Sequence, residues 1–290
     1  CEMLTEIRLP DTLTRIAADT AFEGCEKLES VTVYSSGDVK YSRYSSADGV
    51  LFDSGESDAI HAPRPVLMPM AKTGSYTVPS GVDMIPRSAF AGSGLSKIVL
   101  PVSVTEIGTE AFANCKKLVS VVFAEAGATN GVKRLTIGDR AFLNCTELTV
   151  IALPARLQSI SLTAYATVNG EMVFENTPNA FEGCENLTLR GAVDTDGAPA
   201  TWLKIRMPLQ NDAPGWGFIA VRRSENIAFE NLIFDYVERF SSAGEVAAVD
   251  AENDRVVVDV FEGQSHFDGM KCYSANSWNL KSKELNPIPA

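Results

Sequence analysis

The chain contains few of the residues on which metal and nucleic-acid sites depend. Its two histidines, His61 and His266, are far apart in sequence and lack a Cys-x-x-Cys or His-x-x-x-His partner, so we predict no metal site. Lysine and arginine together number 25 against 37 acidic residues. The resulting net charge of −12 would repel a phosphate backbone, and we therefore expect no nucleic-acid partner.

Long apolar runs and nucleotide-binding or nucleophile motifs are also missing. No stretch of about 18 apolar residues is present, the length that a membrane-spanning helix needs, so we expect no membrane span. The sequence has no Gly-x-Gly-x-x-Gly, Walker or Gly-x-Ser-x-Gly motif, and we expect no cofactor. The chain has 290 residues, of which 45% are hydrophobic. This composition is typical of a folded protein of one or two domains.

An internal repeat occupies residues 1–187. An Ala-Phe pair is followed by two residues and then Cys, and in most copies Leu stands three residues after the Cys position. The copies are Ala21–Cys25, Ala111–Cys115, Ala141–Cys145 and Ala180–Cys184, with a fifth, Ala89–Ser93, that has Ser in place of Cys. The shortest step, from Phe90 to Phe112, is 22 residues and suits one strand and one short helical turn per coil.

The longest step, from Phe22 to Phe90, predicts an insertion near residues 36–76. Within this step, Asp48 and Gly49 form a two-residue turn signal followed by alternating apolar residues. The step is long enough for two lost coils or one long hairpin. The turn signal favours the hairpin.

The repeat residues resemble those of bacterial BspA-type leucine-rich repeat proteins, whose units read Leu-x-x-Ile-x-Ile-Pro and then Val-x-x-Ile-x-x-x-Ala-Phe-x-x-Cys. The resemblance covers residues 1–187, and the insertion fits it, because this family carries a similar Asp-Gly-Val-Leu-Phe hairpin and a return strand, here Tyr76–Pro79. It implies a leucine-rich repeat solenoid with short helical turns on the return side. It also implies a secreted or surface-attached bacterial protein that acts in interaction and adhesion.

Most of the six cysteines share one repeat position beside the predicted core, where we expect small, buried, reduced thiols. These are Cys25, Cys115, Cys145 and Cys184. Cys1 also falls on this position, in a repeat whose Ala-Phe pair is missing. We therefore interpret Cys1 as part of a truncated repeat in a fragment of a longer protein, and not as an acylated lipoprotein cysteine. Cys272 is outside the register and has no assignment.

A second pattern follows the repeats. Residues 190–199 are rich in Gly, Pro and Asp and predict a linker, after which apolar and polar residues alternate over 200–290. There, Glu245–Val249 and Arg255–Val260 are predicted to pair as an antiparallel hairpin. This segment resembles the early coils of right-handed β-helix glycosidases, nearest to the α-1,3-galactosidase-like group. The resemblance implies a partial right-handed parallel β-helix with a β-hairpin.

Glycoside hydrolysis needs two facing carboxyl groups. The best candidates in 200–290 are Asp235 and the looser pair of Asp268 and His266, but their spacing is typical of turns and strand faces. In enzymes of the resembled architecture, paired carboxylates come from later coils. We assign no catalytic residue to this chain.

The leading hypothesis is a non-catalytic, monomeric, extracellular or cell-surface module that binds a protein or glycan on the outward face of its strands. In each strand, the residue between the last two apolar anchors points away from the core. These residues are Arg8, Thr32, Val99, Val122 and Ala152. The valines predict an apolar stripe for a protein partner, or they reflect only the preference of valine for strands. The alternative function is an accessory repeat domain joined to the N-terminal coils of a carbohydrate-active β-helix glycoside hydrolase.

Overall fold

The structure is a computed structural model, and it describes residues 1–17, 21–22, 24–37, 41–55, 61–124, 134–160, 166–168, 171–173, 180–197, 200–208, 216–220, 228–230, 232–240, 246–247, 255–259, 266–268 and 271–273. Side chains are described up to residue 201, except at 158–159, 166–168 and 171–173. The chain divides into two compact units, 1–133 with 140–148 and 134–139 with 149–290.

The first unit consists of short strands joined by tight turns. Its strands are β1 (Glu6–Pro10), β2 (Ser30–Tyr34), β3 (Tyr44–Ala47), β4 (Val50–Asp53), β5 (Arg64–Leu67), β6 (Thr73–Thr77), β7 (Met84–Ile85), β8 (Gly94–Leu100), β9 (Glu106–Ile107) and β10 (Ser120–Phe123). In β8, Ile98 and Leu100 are fully buried while Lys97 is exposed. This alternation is the pattern of a strand with one face on a core.

The repeat strands of this unit pair in parallel. β1 lies beside β2, with Ile7 opposite Val31. β6, β8 and β10 form a second parallel sheet, in which Tyr76, Ile98 and Val121 are aligned across the three strands. β7 and β9 form a third parallel pair. Residues one repeat apart therefore lie side by side, as the sequence period requires.

The phenylalanines of the Ala-Phe pairs stack in the core. The ring centroids of Phe90 and Phe112 are 5.1 Å apart, and Phe112 and Phe142 are 5.2 Å apart. All three side chains are at most 1% exposed. These separations are close to the spacing of neighbouring strands, about 4.8 Å, so each coil places its ring on the ring of the coil before it.

The repeat cysteines are buried and are not disulfide-bonded, which confirms the sequence prediction for Cys25, Cys115, Cys145 and Cys184. The thiol of Cys115 donates a hydrogen bond to the carbonyl of Phe90 at 3.0 Å, and that of Cys145 donates to Phe112 at 3.2 Å. Both bonds reach the preceding repeat. The thiols therefore satisfy carbonyl groups inside the core as well as filling it.

Two backbone positions with positive φ flank the Ala-Phe pairs. The residue before the pair is Ser88, Glu110 or Arg140, with φ of 55°, 58° and 50°. The second residue after Phe also has positive φ in all five copies. It is Gly24, Gly92, Asn114, Asn144 or Gly183. Glycine and asparagine are the residues that adopt this conformation most readily, which explains their recurrence there.

The predicted short helical turns are wrong. Apart from one helical residue, Ala21, the described residues form turns and strands instead of helices. The turns close with bonds between residues three apart, such as Cys115 N–H to Phe112 O at 3.2 Å and Leu118 N–H to Cys115 O at 3.0 Å. A right-handed helix cannot continue through residues with positive φ, and Glu110 and Asn114 supply two of them around Phe112.

The insertion is a three-stranded antiparallel sheet, β3–β4–β5. Its first turn is the one that the sequence predicts, at Asp48 and Gly49, with φ of 46° and 77°. Positive φ at both central residues is characteristic of a two-residue type I′ hairpin turn. The third strand, β5, was not anticipated, because Arg64–Leu67 contains Pro65 and lacks an alternating pattern.

This hairpin also covers the free edge of β2. The carbonyl of Gly49 accepts the N–H of Val31 at 2.9 Å, and the hydroxyl of Ser46 accepts the N–H of Val33 at 2.8 Å. A Cβ on Gly49 would lie 3.0 Å from Ser30 Oγ. Glycine is thus needed at this turn both for its positive φ and for the close approach to β2.

The second unit is also formed by strands. They are β11 (Leu135–Ile137), β12 (Val150–Leu153), β13 (Leu157–Ile160), β14 (Ala166–Val168), β15 (Glu171–Val173), β16 (Thr188–Gly191), β17 (Thr201–Pro208), β18 (Trp216–Ala220), β19 (Ala228–Glu230), β20 (Leu232–Phe240), β21 (Val246–Ala247), β22 (Arg255–Asp259), β23 (His266–Asp268) and β24 (Lys271–Tyr273). β16 extends to Gly191, two residues into the stretch predicted as a linker.

Most strand pairs of the second unit are parallel. β12, β16, β19 and β23 form one sheet, β17, β20 and β24 another, and β18 pairs with β22. β11 pairs with β13 in parallel, while β14 and β15 are antiparallel.

The buried hydroxyl of Thr201 donates to Leu153 O at 3.2 Å and accepts the N–H of Ala192 at 2.8 Å, which connects the start of β17 with two earlier segments.

The antiparallel hairpin predicted for Glu245–Val249 and Arg255–Val260 is wrong. Val246–Ala247 pairs antiparallel with the end of β20, and Arg255–Asp259 pairs in parallel with β18. Alternation indicates which residues share a face of a strand but does not identify the partner strand.

Candidate functional site

The outward face of β1 and β2 brings two of the five predicted residues together. Arg8 and Thr32 are register partners, and both are exposed. The guanidinium carbon of Arg8 lies 5.5 Å from the ring centroid of Tyr34, within the range of a cation–π contact. The Tyr34 side chain is 41% exposed. This part of the face is polar, with one aromatic ring available to solvent.

The outward face of β6, β8 and β10 aligns two more predicted residues. Val99 lies between Thr77 and Val122 in the strand register, and we call these three the outward row. Thr77 is exposed, Val99 is half-buried and Val122 is 37% exposed. The alternate positions, Ile98 and Val121, are buried in the core. The structure therefore places the predicted apolar positions side by side on the outside of one sheet.

A polar row lies next to the outward row and was missed by the sequence reasoning. Ser75, Lys97 and Ser120 are aligned across the same three strands, and Ser75 and Lys97 are exposed. Residues two positions apart share a face of a strand, so the period of two could have identified this row. The face thus combines an apolar row with a row that carries one cation.

The fifth predicted residue, Ala152, is in the second unit. It is exposed on β12, opposite Arg190 of β16, which is exposed as well. The five predicted residues therefore occupy three different sheets. Among them the structure pairs only Arg8 with Thr32 and Val99 with Val122.

The insertion contains charged and polar groups that the sequence reasoning also did not single out. Arg43 Nε lies 3.1 Å from both carboxylate oxygens of Asp53, and Arg43 Nη2 donates to Asp53 Oδ2 at 2.9 Å. Between the insertion and a repeat turn is a cavity of about 250 Å³. Its lining includes Ile16, Tyr44, Asp53, Val66, Pro86 and Ala89. These residues are distant in sequence and follow no motif, so no sequence signal could have found the cavity.

Among the side chains that the structure describes, those of Asp11, Tyr76 and Cys115 have a pKa that departs from its usual value. Hydrogen bonds from the Ser36 hydroxyl and N–H to Asp11 hold the pKa of that carboxyl below its usual value. Burial, with the charge of Asp48 adding to it, raises the pKa of Tyr76, and burial also raises the pKa of Cys115. All three shifts move away from neutral pH, whereas a general acid or base works best with a pKa near the operating pH.

The residues considered for catalysis are described by their backbone alone. Asp235 lies in β20 opposite Lys204 and Tyr273, and His266 and Asp268 are the ends of β23. The side chains of all three lie outside the described part of the structure. Where side chains are described, no group of three His, Cys, Asp or Glu residues converges as metal ligands. No helix in the described residues is long and apolar enough to cross a membrane.

The parallel repeat strands, the stacked phenylalanines and the buried cysteine position define a leucine-rich repeat β-solenoid. The family described as BspA type leucine-rich repeat region matches the chain in six copies, over residues 1–45 and 70–188. The chain belongs to this family. The gap between the two matched ranges contains most of the inserted sheet, from Val50 to Leu67.

The chain is similar to several solved structures, among them the following three. A leucine-rich cell surface protein from Faecalibacterium prausnitzii A2-165 is 25% identical over 67% of this chain and 49% of its own, with a TM-score of 0.43. A leucine-rich repeat protein from Bacteroides capillosus ATCC 29799 is 20% identical over 52% of this chain and 99% of its own, with a TM-score of 0.37. The pneumococcal vaccine antigen PcpA is 17% identical over 91% of this chain and 56% of its own, with a TM-score of 0.45.

This chain spans about half the length of the F. prausnitzii protein. No curated protein matches the chain. The family match ends at residue 188, and these comparisons do not support a likeness of residues 200–290 to β-helix glycosidases.

Proposed function

We propose that this chain is a non-catalytic interaction module that acts outside the cell or on a bacterial cell surface, as a monomer, and that it binds a protein or glycan ligand on the outward face of its repeat strands. The outward row carries this proposal. Its residues are aligned on three adjacent parallel strands, and Val122 exposes 37% of its side chain to solvent. Apolar positions at the centre of a face with polar neighbours are typical of protein interfaces.

The parallel sheet supports this function through its rigidity. The side chains that alternate with the outward row are anchored in the core, where Tyr76, Ile98 and Val121 are at most 4% exposed. The outward residues therefore have fixed spacing before a ligand arrives. Preorganisation of this kind reduces the entropy that binding costs.

The test compares ligand binding by two double variants of the chain. Glycan and host-protein arrays first identify a ligand, and the double variant Val99→Lys with Val122→Lys is then measured against it. We expect binding to be lost at an unchanged melting temperature, because two charges replace the two apolar residues of the row. The matched control changes Val102 and Val193 to Lys, since these valines are 38% and 49% exposed and lie outside the row.

Two results would contradict this proposal. If the row variant keeps full affinity while the array ligand still binds, the valines reflect strand propensity and the binding surface is elsewhere on the chain. If the control variant loses affinity equally, added positive charge disturbs binding in general and the row has no special role.

A second candidate function is an accessory repeat domain attached to the first coils of a carbohydrate-active β-helix glycoside hydrolase. The parallel pairs β17–β20, β18–β22 and β19–β23 favour it, because coils of a parallel β-helix place successive strands beside one another in this way. The test incubates the chain with aryl galactosides and α-linked galactosides. We expect no turnover above buffer, and turnover that disappears in Asp235→Asn would establish the enzyme function.

A further inference from the structure

The cavity beside the inserted sheet has walls from three different parts of the first unit. Tyr44, Asp53 and Val66 come from the three strands of the insertion, Pro86 and Ala89 come from a repeat turn, and Ile16 comes from the segment between β1 and β2. The cavity measures about 250 Å³, and most of its walls are apolar. A cavity of this size lies just below the range for drug-sized ligands, which begins at about 300 Å³, so it suits only a small group.

Tyr44, one of the lining residues, has a hydroxyl group whose hydrogen is unused among the described residues. The hydroxyl of Tyr44 accepts the backbone N–H of Ile16 at 3.0 Å, and among the described residues it donates to no acceptor. The Tyr44 side chain is only 2% exposed. A buried hydroxyl whose hydrogen has no acceptor is unfavourable, so an acceptor at this point in the cavity would lower the free energy.

The charged groups around the cavity are already paired. The two carboxylate oxygens of Asp53 accept from Arg43 at 2.9–3.1 Å, and Oδ1 also accepts the N–H of Gly55 at 2.7 Å. At the rim, Arg87 contacts Glu110 at 3.4 Å. Each local cation therefore has a local anion, and no charge in the lining requires a charged ligand.

We propose that this cavity binds a small uncharged group with one hydrogen-bond acceptor beside a compact apolar part, of which the acetamido group is the simplest example. The carbonyl oxygen accepts the free hydrogen of Tyr44, and the methyl group packs on Val66, Pro86 and Ala89. An acetamido group can be supplied by an N-acetylated sugar or by an acylated peptide. This site goes beyond the proposed function, since it does not include the outward row.

The experiment measures binding of three probes by the full chain: N-acetylglucosamine, N-acetyl-L-alanine amide and glucose. The readout is the NMR chemical shift of the Ile16 amide, whose N–H donates a hydrogen bond to the Tyr44 hydroxyl. The Val31 amide is the internal reference, because its N–H is hydrogen-bonded to the carbonyl of Gly49. We expect about millimolar binding of an acetamido probe and none of glucose. Binding by the sugar alone or the peptide alone identifies the source, and equal binding shows that only the acetamido group is recognised.

Two variants and one control locate the probe. Tyr44→Phe keeps the ring and removes the donor, and we expect affinity to fall about fivefold to tenfold. Val66→Phe fills the cavity and should abolish binding, and Ile16→Phe serves the same purpose if the first fails to fold. Tyr76→Phe is the matched control, because this second buried tyrosine donates to Ala47 outside the cavity. Absence of any acetamido binding, or full binding by the folded filled variant, overturns the proposal.

Discussion

The rings of Phe112 and Phe142 lie face to face, with centroids 5.2 Å apart and planes 5° from parallel. The backbones of the same two coils are also linked, because the N–H of Phe112 donates to the carbonyl of Ala141 at 2.7 Å. Phe90 has the same two links to the next coil, at 5.1 Å and 2.9 Å. One residue type per coil thus provides both core packing and a backbone connection.

Replacing Phe112 with Ala should destabilise the first unit by about 3–5 kcal/mol, because it removes a ring that is packed on both faces and leaves a cavity. Urea unfolding measures the change in the free energy of unfolding. The control is Val119→Ala, whose side chain is 46% exposed and should change stability by less than about 0.5 kcal/mol. A loss below about 1 kcal/mol for Phe112→Ala would require a different repeat register.

Replacing Gly108 with Ala should also be destabilising, by about 1–3 kcal/mol. An added Cβ would lie 2.9 Å from Arg87 N, 3.0 Å from Ile85 O and 3.1 Å from Pro86 C, all of which are backbone atoms of the preceding coil. Thermal unfolding provides the measurement.

The control for this change is Gly24→Asn. Gly24 has φ of 70° and nothing within 4 Å of an added Cβ, and the same repeat position holds Asn in the coils of Asn114 and Asn144. We expect an almost unchanged melting temperature. Equal tolerance of both substitutions would show that the coils are not in close backbone contact at Gly108.

The repeat thiols should react slowly with a thiol reagent in the native protein and completely after denaturation without reductant. Cys25, Cys115, Cys145 and Cys184 are buried, and burial raises the pKa of Cys115, which further suppresses its reactive thiolate. Cys1 is exposed and serves as the rapidly labelled control within the same chain. Peptide mass spectrometry reads each site, and disulfide-linked peptides among the four would contradict the prediction.

Asp11 should make stability depend on pH in the acid range. Its folded-state pKa is lowered by the hydroxyl of Ser36 at 2.6 Å and the N–H of Ser36 at 3.0 Å. A lowered pKa contributes stability that is fully present above the unfolded value, about 3.9, and is lost as pH falls through the folded value. The melting temperature of the wild type should therefore fall more steeply below about pH 4 than that of Asp11→Asn.

Ser36→Ala is the companion variant for the acid range. It keeps the carboxyl of Asp11 and removes the hydroxyl donor, so its acid dependence should lie between those of the wild type and Asp11→Asn. Parallel acid profiles for the wild type and Asp11→Asn would mean that Asp11 does not gain stability from these bonds.

The repeat register could be predicted from sequence because one constraint determines it. A step of 22 residues places Phe90 on Phe112, and a step of 23 places Ile98 beside Val121. Within each coil, burial of one anchor restricts where the other anchors can lie. The Asp48-Gly49 turn was predictable for a local reason, since few residue pairs accept positive φ twice. Both features can be read from short stretches of chain.

What could not be predicted depends on long-range partners. Arg255–Asp259 alternates like a hairpin strand, yet its hydrogen-bonding partner is β18, more than 30 residues earlier. The cavity likewise needs Tyr44 and Pro86 to meet across different elements. Val99 and Val122 of the outward row were predictable from sequence, because strand alternation decides which side chains face outward. Their alignment with Thr77 on a single sheet depended on the parallel pairing.

The hairpin over β2 has a consequence for how copies of this protein behave in concentrated solution. A strand edge with free N–H groups is a template on which another chain can add a strand, the first step of aggregation. Gly49 and Ser46 occupy the N–H groups of Val31 and Val33, so the insertion protects the colloidal stability of the molecule. Shortening the insertion to match the neighbouring repeats would make the repeat length more regular and the protein more prone to aggregation.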